Sequence, residues 1–279
     1  FSEELPSAQE LADVFTFYAF EVEEVVQVGE DWVLDLDVLP NRSSDCLSHR
    51  GIAYELATLL SLPLVNDPLR EVLLPLPEAH TFRISLEKEQ SCDMYMGAVV
   101  RGVTIAPSPE WLQTYLRTIG QRPINNIVDI TNYVMFQLGQ PMHAFDTNKL
   151  AVGQDEKRHI GARSASEGES ITVLTGETYT LTPEDTVIAD IESGDALAVA
   201  GIKGGKHAEI TEETTDILLE AAHFAYTPVR KTSRRLKLAT ESSLRFQNDP
   251  SALLPEYAMR EALRLVEEIA GGKVVGVAT

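Results

Sequence analysis

Residues 122–146 read RPINNIVDITNYVMFQLGQPMHAFD and combine a helical hydrophobic pattern with an abrupt stop. Four hydrophobic residues recur at helical spacing and predict one buried face: Ile127, Ile130, Val134 and Leu138. Asn125 or Asn126 can cap this helix, because a side-chain oxygen there accepts a hydrogen bond from an otherwise unpaired N–H group. Gly139 suits the left-handed position just past the helix, and Pro141 prevents the helix from resuming. The stretch therefore predicts a helix, a tight stop and a following loop.

Three polar residues accompany the predicted helix and are candidates for chemistry. Arg122 precedes it, Asn132 lies inside it and His143 follows its stop. A fixed cation, an amide and an imidazole could together surround a small polar substrate. Isolated polar residues are more often structural, so the residues alone favour a capped helix with a histidine bonded to the backbone.

The composition limits the kind of protein that this chain can be. Its 279 residues can bury a sizeable core and predict two domains. The formal net charge of −20 argues against a dedicated nucleic-acid-binding protein, because phosphate contacts usually require a basic surface. If the chain handles RNA, we expect it to do so locally, with other subunits supplying most of the binding.

The sequence predicts neither a metal site nor a membrane segment. Cys46 and Cys92 are isolated, and the six histidines lack metal-ligand spacing, so we expect no bound metal. No run is long and apolar enough to span a membrane, and the acidic first residues do not resemble a secretory signal. We therefore expect a cytoplasmic protein with no membrane partner.

The first 75 residues predict a small helical N-terminal domain. Its predicted elements are a helix from Ser7, strands over residues 21–28 and 31–38, and a helix over residues 49–60. Ser7 and Glu10 have the spacing of a capping box, and Gly29 provides the turn between the strands. Four prolines within residues 62–78 favour an extended connection, so we place the domain boundary at residue 75.

Residues 76–272 predict a larger mixed α/β domain, and residues 273–279 the start of a following domain. The predicted strands cover residues 81–86, 95–104, 158–163, 171–174, 179–181, 186–189, 197–200 and 214–220. Besides the central helix, we predict helices capped by Ser108, starting at Thr227, and starting near Asp249 with a possible kink at Pro255. The pattern assigns the chain to the α+β class.

Two features of the larger domain are candidates for binding. Residues 201–205, GIKGG, predict a strand-end turn where glycine permits positive φ and close approach of a ligand to the backbone. The turn lacks the pattern of a phosphate loop, so we expect no ATP binding there, and a tight hairpin is the alternative. Glu220 ends an apolar run, and a buried carboxylate requires a partner, either a nearby arginine or a ligand.

The one dense basic run of this acidic chain lies within residues 230–237. It contains Arg230, Lys231, Arg234, Arg235 and Lys237. A solvated face is the favoured interpretation on the residues alone, and a seat for RNA phosphates is the alternative. No aromatic residues alternate with the run, so base stacking is not indicated.

Four collinear motifs resemble a single protein family. They are NRSSDCLSHRGIAYELATLL (41–60), TNYVMFQLGQPMHAFD (131–146), GIKGGKHAEITEETTDILLEAAHF (201–224) and RRLKLATESSLRF (234–246). Across nearly the whole chain they look like the N-terminal and editing domains of the bacterial phenylalanyl-tRNA synthetase beta chain. The oligonucleotide-binding barrel usual in that family is absent from this sequence, because only residues 27–31 stand in its place. The resemblance also implies that the family's chain continues beyond these residues.

The resemblance implies proofreading, the hydrolysis of tyrosine wrongly esterified to phenylalanine tRNA. On that basis we hypothesise catalytic roles for His143, Asn132 and Arg122: the first two position a water, and the third binds the terminal adenosine or its phosphate. The resemblance assigns the amino-acid pocket to Gly204, Glu220, Thr240 and Ser242, with Glu220 accepting a hydrogen bond from the phenol of tyrosine. Ser242 departs from the small apolar residue usual there. The basic residues Arg230, Lys231, Arg234 and Arg235 would contact the tRNA end.

The resemblance further implies partners. These are the synthetase alpha chain in an α2β2 heterotetramer, phenylalanine tRNA, and tyrosine as the editing ligand. ATP and magnesium are expected for the whole enzyme, in the alpha chain, and no cofactor for these 279 residues. The alternative is a non-catalytic structural and tRNA-docking module, which the net acidity, the missing barrel and Ser242 favour.

Overall fold

The computed structural model describes all residues except 2, 3, 71, 74 and 88–90. Its helices are α1 (Ala8–Tyr18), α2 (Ser43–Cys46), α3 (His49–Leu60), α4 (Glu110–Thr118), α5 (Asn126–Leu138), α6 (Tyr226–Leu236), α7 (Glu241–Phe246) and α8 (Leu254–Ile269). Its strands are β1 (Glu21–Val28), β2 (Asp31–Asp37), β3 (Phe82–Leu86), β4 (Cys92–Val103), β5 (Met142–Asp146), β6 (Arg158–Ser164), β7 (Ser170–Thr172), β8 (Thr178–Thr180), β9 (Thr186–Asp190), β10 (Ala196–Val199), β11 (Lys203–Gly204), β12 (Asp216–Phe224) and β13 (Gly271–Ala278). This mixture of helices and sheets confirms the predicted fold class.

The N-terminal elements build a small core of their own. The predicted capping box is confirmed: the Ser7 hydroxyl accepts from the N–H of Glu10, and the Glu10 carboxylate accepts from the N–H of Ser7. Strands β1 and β2 form an antiparallel hairpin around Gly29, whose φ is +65°. Phe15 and Leu56 are among the residues that α1 and α3 bury there. The connection after α3 is mostly irregular, with one short 3-10 turn, and its residues 71 and 74 lie outside the described part.

The larger part of the chain has three layers. A four-stranded antiparallel sheet, in the order β13-β4-β12-β5, lies in the middle. Helices α4, α5 and α8 pack their apolar residues on one face of it. A five-stranded sheet, in the order β11-β10-β9-β6-β3, packs on the other face, which we call the inter-sheet face. Within the five-stranded sheet, β3 and β6 run parallel and the other pairs run antiparallel.

Helix α5 follows the sequence prediction closely. Asn125 is the cap, and its side-chain oxygen accepts a 2.9 Å hydrogen bond from the N–H of Val128. Asn126 instead ties the helix to the end of β4, since its side chain contacts the main chain of Thr104 and Ala106. The helix ends at Gly139, whose φ of +85° is the left-handed conformation that glycine adopts readily.

Several local predictions are wrong, among them the following three. Ser108 does not cap α4; its hydroxyl donates to the buried carboxylate of Asp129 at 2.6 Å, and Pro109 takes the cap position. Pro255 does not kink the last helix but lies in its first turn, where its missing N–H leaves no intrahelical bond unmade. Glu220 does not end a strand, because β12 continues to Phe224.

The sequence assigns residues 273–279 to the start of a following domain; in the structure, all of them except Thr279 belong to β13. This strand pairs antiparallel with β4 and so extends the four-stranded sheet at its edge. Among the described residues, the structure contains no helix whose length and apolar character would allow it to cross a membrane.

Candidate functional site

Strand register places two of the predicted site residues side by side. Glu220, in the middle of β12, is the direct partner of His143 in β5 and of Gly97 in β4. Side chains alternate between the two faces of a strand, and Ala144 and Ala221 belong to the helix-facing core. Glu220 and His143 therefore both point into the inter-sheet face.

The carboxylate of Glu220 has a tyrosine as its partner. The phenol of Tyr95, in β4, donates a 2.7 Å hydrogen bond to Oε2 of Glu220. Glu220 is 7% exposed, and among the ion pairs of the described residues none joins it to an arginine. Burial raises the pKa of Glu220 to about 7, against the opposing effect of the bond from Tyr95. The side chain therefore titrates near neutral pH.

Gly204 is fixed by steric contact with His143. A Cβ atom at Gly204 would lie 2.4 Å from Cε1 and 2.6 Å from Nε2 of the His143 ring. It would also lie 3.1 Å from Leu174, on the other side of the turn. Glycine is required here for close packing, whereas positive φ occurs at Gly201, where φ is +68°.

The imidazole of His143 is held in its neutral form. Burial, together with the smaller effect of the positive charge of Lys203, lowers its pKa to about 4. Its ring meets the ring of Phe145 edge to face, with centroids 4.6 Å apart. A neutral imidazole offers one donor and one acceptor, which suits it to hold a water molecule or a substrate group.

Thr240 and Ser242 donate hydrogen bonds to main-chain oxygens of the glycine turn, residues 201–205. The Thr240 hydroxyl donates to the carbonyl oxygen of Ile202 at 2.8 Å and also caps α7, accepting from the N–H of Ser243. The Ser242 hydroxyl donates to the carbonyl oxygen of Gly201 at 3.0 Å. The protons of both hydroxyls are therefore bonded to main-chain oxygens, and the polarity of Ser242 is satisfied within the protein.

Arg122 and Asn132 lie on the other side of the central sheet. Asn132 is a half-buried residue of α5, which packs on the helix-facing core. Arg122 is exposed and precedes α5, whose first residue is anchored beside Thr104, past the end of β4. The structure thus brings together His143, Gly204 and Glu220, and it does not place Arg122 or Asn132 on their face of the sheet.

The basic residues of α6 divide into two kinds. Arg230, Lys231 and Arg234 are exposed and take part in no ion pair among the described residues. Arg235 forms an ion pair with the buried carboxylate of Asp185 and also donates to the carbonyl oxygen of Thr180 at 3.3 Å. Arg235 therefore ties α6 to the β8–β9 connection, while the other three residues leave their charges to solvent or to a ligand.

Sequence reasoning missed two residues that shape this region. Tyr95 alternates within an ordinary buried strand, and nothing in the local pattern marks its bond to Glu220. Arg245 is 4% exposed, donates to the carbonyl oxygen of Leu47, and lies 4.8 Å over the ring of Phe136. It thereby joins α7 to the N-terminal elements and to α5. The sequence did carry one signal for Arg245: it lies between Leu244 and Phe246, and a basic residue between two apolar ones indicates a buried charge with a partner.

Two concavities lie outside this group of residues. A small concavity lies beside the turn, lined by Ser91, Thr186, Ala200, Phe224, Pro228, Val229 and Thr232. A cavity of about 130 Å³ lies between Phe20 and Arg42 in the N-terminal part. Neither is lined by His143 or Glu220. Within the described residues, no group of three His, Cys, Asp or Glu side chains is arranged to hold a metal ion.

Comparisons with known proteins give a consistent result. Residues 91–271 match the B3/4 domain family. The chain is 42% identical over 257 residues to the phenylalanine–tRNA ligase beta subunit of Porphyromonas gingivalis, covering 91% of this chain and 30% of that protein. It is 40% identical over 268 residues to that of Rhodopirellula baltica, covering 96% and 38%. The chain thus spans about a third of the length of the curated relatives it matches.

A solved structure is also similar. It is the crystal structure of an N-terminal fragment of the phenylalanyl-tRNA synthetase beta subunit from Pyrococcus horikoshii. The match has a TM-score of 0.41 and 15% sequence identity, and it covers 78% of this chain and 63% of that one.

Proposed function

Because the chain belongs to the B3/4 domain family and is homologous to bacterial phenylalanine–tRNA ligase beta subunits, we propose that it carries a proofreading site. The site would hydrolyse tyrosine wrongly esterified to phenylalanine tRNA. One observation carries the proposal: a buried carboxylate, a neutral imidazole and a glycine backbone meet on the inter-sheet face, at Glu220, His143 and Gly204.

Discrimination would rest on Glu220. A substrate phenol gives the carboxylate a second hydrogen bond, while the ring of phenylalanine leaves that position unpaired in a desolvated site. A site built to hydrogen-bond a hydroxyl rejects the analogue lacking it by a factor on the order of 10⁴. An amino-acid pocket of this kind would therefore favour tyrosine.

Hydrolysis would need little from the protein. An aminoacyl ester is already activated, so a positioned water and a polarised carbonyl suffice without a covalent nucleophile. His143 is the residue on this face that can orient such a water, and its neutral form avoids placing a second cation beside Lys203. Gly204 keeps the backbone against the imidazole and so limits where the ring can move.

The rest of the complex would supply most of the tRNA binding. Arg230, Lys231 and Arg234 would contact phosphates near the tRNA end, against the net charge of −20 of this chain. The alpha chain, in an α2β2 assembly in the cytoplasm, would hold ATP and magnesium for aminoacylation. The described residues contain no cluster of side chains suited to a metal ion. We assign no step in editing to ATP or to magnesium.

The proposal is tested with the whole ligase carrying Glu220→Gln in this segment of its beta subunit. We expect the unmodified enzyme to deacylate tyrosyl-tRNA much faster than phenylalanyl-tRNA, and the variant to lose most of that difference. Asp216→Asn, the same kind of change on the same strand, is the matched control and should keep the preference. Equal deacylation of the two substrates by the unmodified enzyme would overturn the proposal.

A structural and tRNA-docking module is the second candidate. It is favoured by two observations: Glu220 already has Tyr95 as a partner, and Arg122 and Asn132 lie on the other side of the sheet. If this second function is correct, the unmodified ligase should not deacylate either substrate. Replacing Arg230 and Arg234 by alanine should still weaken tRNA binding.

A further inference from the structure

We propose that Tyr95 is a positioning residue for substrate selection: its phenol holds Oε2 of Glu220, so that Oε1 is the oxygen left to accept the phenol of a substrate. This inference rests on the proposed function and adds a residue to it. Tyr95 would act through Glu220 and would not touch the substrate itself.

The sheet geometry gives Tyr95 this place. Tyr95 is the β4 partner of Ala222 and is therefore a diagonal neighbour of Glu220, within reach of a long side chain on the same face. Its hydroxyl lies 2.7 Å from Oε2, and the residue is 2% exposed. A phenol buried to this degree needs an acceptor, and among the described residues Glu220 provides it.

The position directly opposite Glu220 in β4 cannot take over this role. It is Gly97, and the ring of Phe82 packs against it, 2.8 Å from where a Cβ atom would lie. On the other side, in β5, the partner is His143. The carboxylate thus has an apolar ring on one flank and an imidazole on the other, and Tyr95 fixes one of its oxygens.

The second oxygen of Glu220 remains available. In the part of the chain that the structure describes, the buried polar side-chain atoms without a partner are Gln140 Oε1 and Arg260 Nε. Oε1 of Glu220 accepts no hydrogen bond from the described residues. Because it is nevertheless not among the buried atoms without a partner, it is in contact with solvent. One oxygen bonded inside the core and one accessible is the arrangement that a selective acceptor requires.

The bond from Tyr95 also affects the charge of the acceptor. Burial raises the pKa of Glu220, and the bond from Tyr95 opposes that rise. Tyr95→Phe removes the opposing effect, so the carboxyl should become ionised only at higher pH. A carboxylate accepts a stronger hydrogen bond than a neutral carboxylic acid does. The preference for tyrosine should therefore appear at higher pH in the variant.

The experiment compares deacylation of tyrosyl- and phenylalanyl-tRNA by the whole ligase between about pH 6 and pH 8.5, a range that brackets the titration of Glu220. The ratio of the two rates cancels the general effect of hydroxide on ester hydrolysis. We expect Tyr95→Phe to lower the ratio at pH 7 by about tenfold, the scale of one lost hydrogen bond, and to move its midpoint up by about one pH unit. Tyr115→Phe is the matched control, because its phenol bonds His49 away from this face.

A second measurement is independent of editing. The carboxyl of Glu220 is titrated in this chain by infrared difference spectroscopy against Glu220→Gln, with and without Tyr95→Phe. An unchanged midpoint in Tyr95→Phe overturns the inference even if the ligase edits. If the titration midpoint of Glu220 rises in Tyr95→Phe but the ligase does not edit, the proposed function is refuted. The bond from Tyr95 to the Glu220 carboxylate would still be supported.

The double variant Tyr95→Phe with Glu220→Gln completes the test. If Tyr95 acts through Glu220, the double variant should have the same rate ratio as Glu220→Gln alone. A further drop in the double variant would overturn the inference, since Tyr95 would then act on the substrate by another route. Thermal unfolding of each protein identifies any variant whose fold is lost. If Tyr95→Phe is such a variant, 3-fluorotyrosine at position 95 is used in its place, because it retains the aromatic ring.

Discussion

The two faces of β12 differ although they belong to the same nine residues. On the helix-facing side, Ile217, Leu219 and Ala221 are fully buried among apolar residues of α5 and α8. On the inter-sheet side, Leu218 and Ala222 flank Glu220, which carries a carboxyl group with a pKa of about 7. One strand therefore stabilises the fold on one face and holds a titratable group on the other.

The difference follows from what covers each face. A helix layer offers side chains alone, because its backbone groups are bonded within the helix. The second sheet instead brings a turn, residues 201–204, whose backbone lies against His143. Glu220 is retained on the inter-sheet face because Tyr95, on the same face of the central sheet, donates a hydrogen bond to it, and the glycine turn leaves room for the ring of His143.

The largest effect should come from Leu218→Ala and Leu219→Ala, a matched pair on opposite faces. Both residues are fully buried, so each change should lower the free energy of unfolding by about 2–5 kcal/mol. Only Leu218→Ala should also alter the pH midpoint of Glu220, because only Leu218 shares its face. Urea unfolding and the infrared titration measure the two quantities. Equal shifts of the midpoint in both variants would remove the distinction between the faces.

The second prediction concerns the pH dependence that Glu220 gives to stability. Below pH 4.5 the carboxyl is neutral in both the folded and the unfolded chain. Between pH 4.5 and about 7 the unfolded chain loses the proton first, so the free energy of unfolding falls as pH rises. Glu220→Gln removes this loss, and the variant should be more stable than the parent by about 3 kcal/mol at pH 8 and equal to it at pH 4.

Urea unfolding at a series of pH values measures this difference. His143 titrates in both proteins, so its contribution cancels in the comparison. Glu184→Gln, the same substitution at an exposed residue, is the matched control. A constant difference between Glu220→Gln and its parent from about pH 4 to pH 8 would contradict a raised pKa at Glu220.

The sequence predicted local features well. The cap at Asn125 or Asn126, the stop at Gly139 and the capping box at Ser7 depend on residues within a few positions of one another. The structure confirms the stop and the capping box, and of the two predicted caps it has Asn125. Helix α3 also has the predicted bounds. Such features are set by the backbone of one segment, so periodicity and residue type suffice to find them.

Contacts between distant residues were not accessible from the sequence. The bond from Tyr95 to Glu220 joins residues 125 positions apart and depends on the register of β4 and β12. The hydroxyl of Ser108 was predicted to cap a helix, but it bonds Asp129, 21 positions away. The placement of Arg122 and Asn132 likewise depends on which face of the sheet α5 covers, and the helical pattern alone does not specify that face.

The smallest effect should distinguish two cations of α6: Arg235, which has an ion-pair partner, and Arg234, which has none among the described residues. Arg235 pairs with the buried carboxylate of Asp185, which also accepts a bond from Thr232. Arg235→Ala should therefore lower the free energy of unfolding by only about 1 kcal/mol, because Thr232 remains as a partner and the arginine is partly screened by solvent. Arg234→Ala should change it by less than about 0.5 kcal/mol.

The same two variants should have the opposite order in tRNA binding. In the whole ligase, Arg234→Ala should weaken binding of phenylalanine tRNA and reduce the dependence of the dissociation constant on salt, because one phosphate contact is lost. Arg235→Ala should change both less, since its guanidinium is already bonded to Asp185 and to Thr180. Filter binding between about 50 and 200 mM salt provides the measurement. If Arg235→Ala has the larger effect on binding, the tRNA contact lies on the side of α6 that faces the β8–β9 connection. An ion pair within the protein would then not prevent an arginine of α6 from binding RNA.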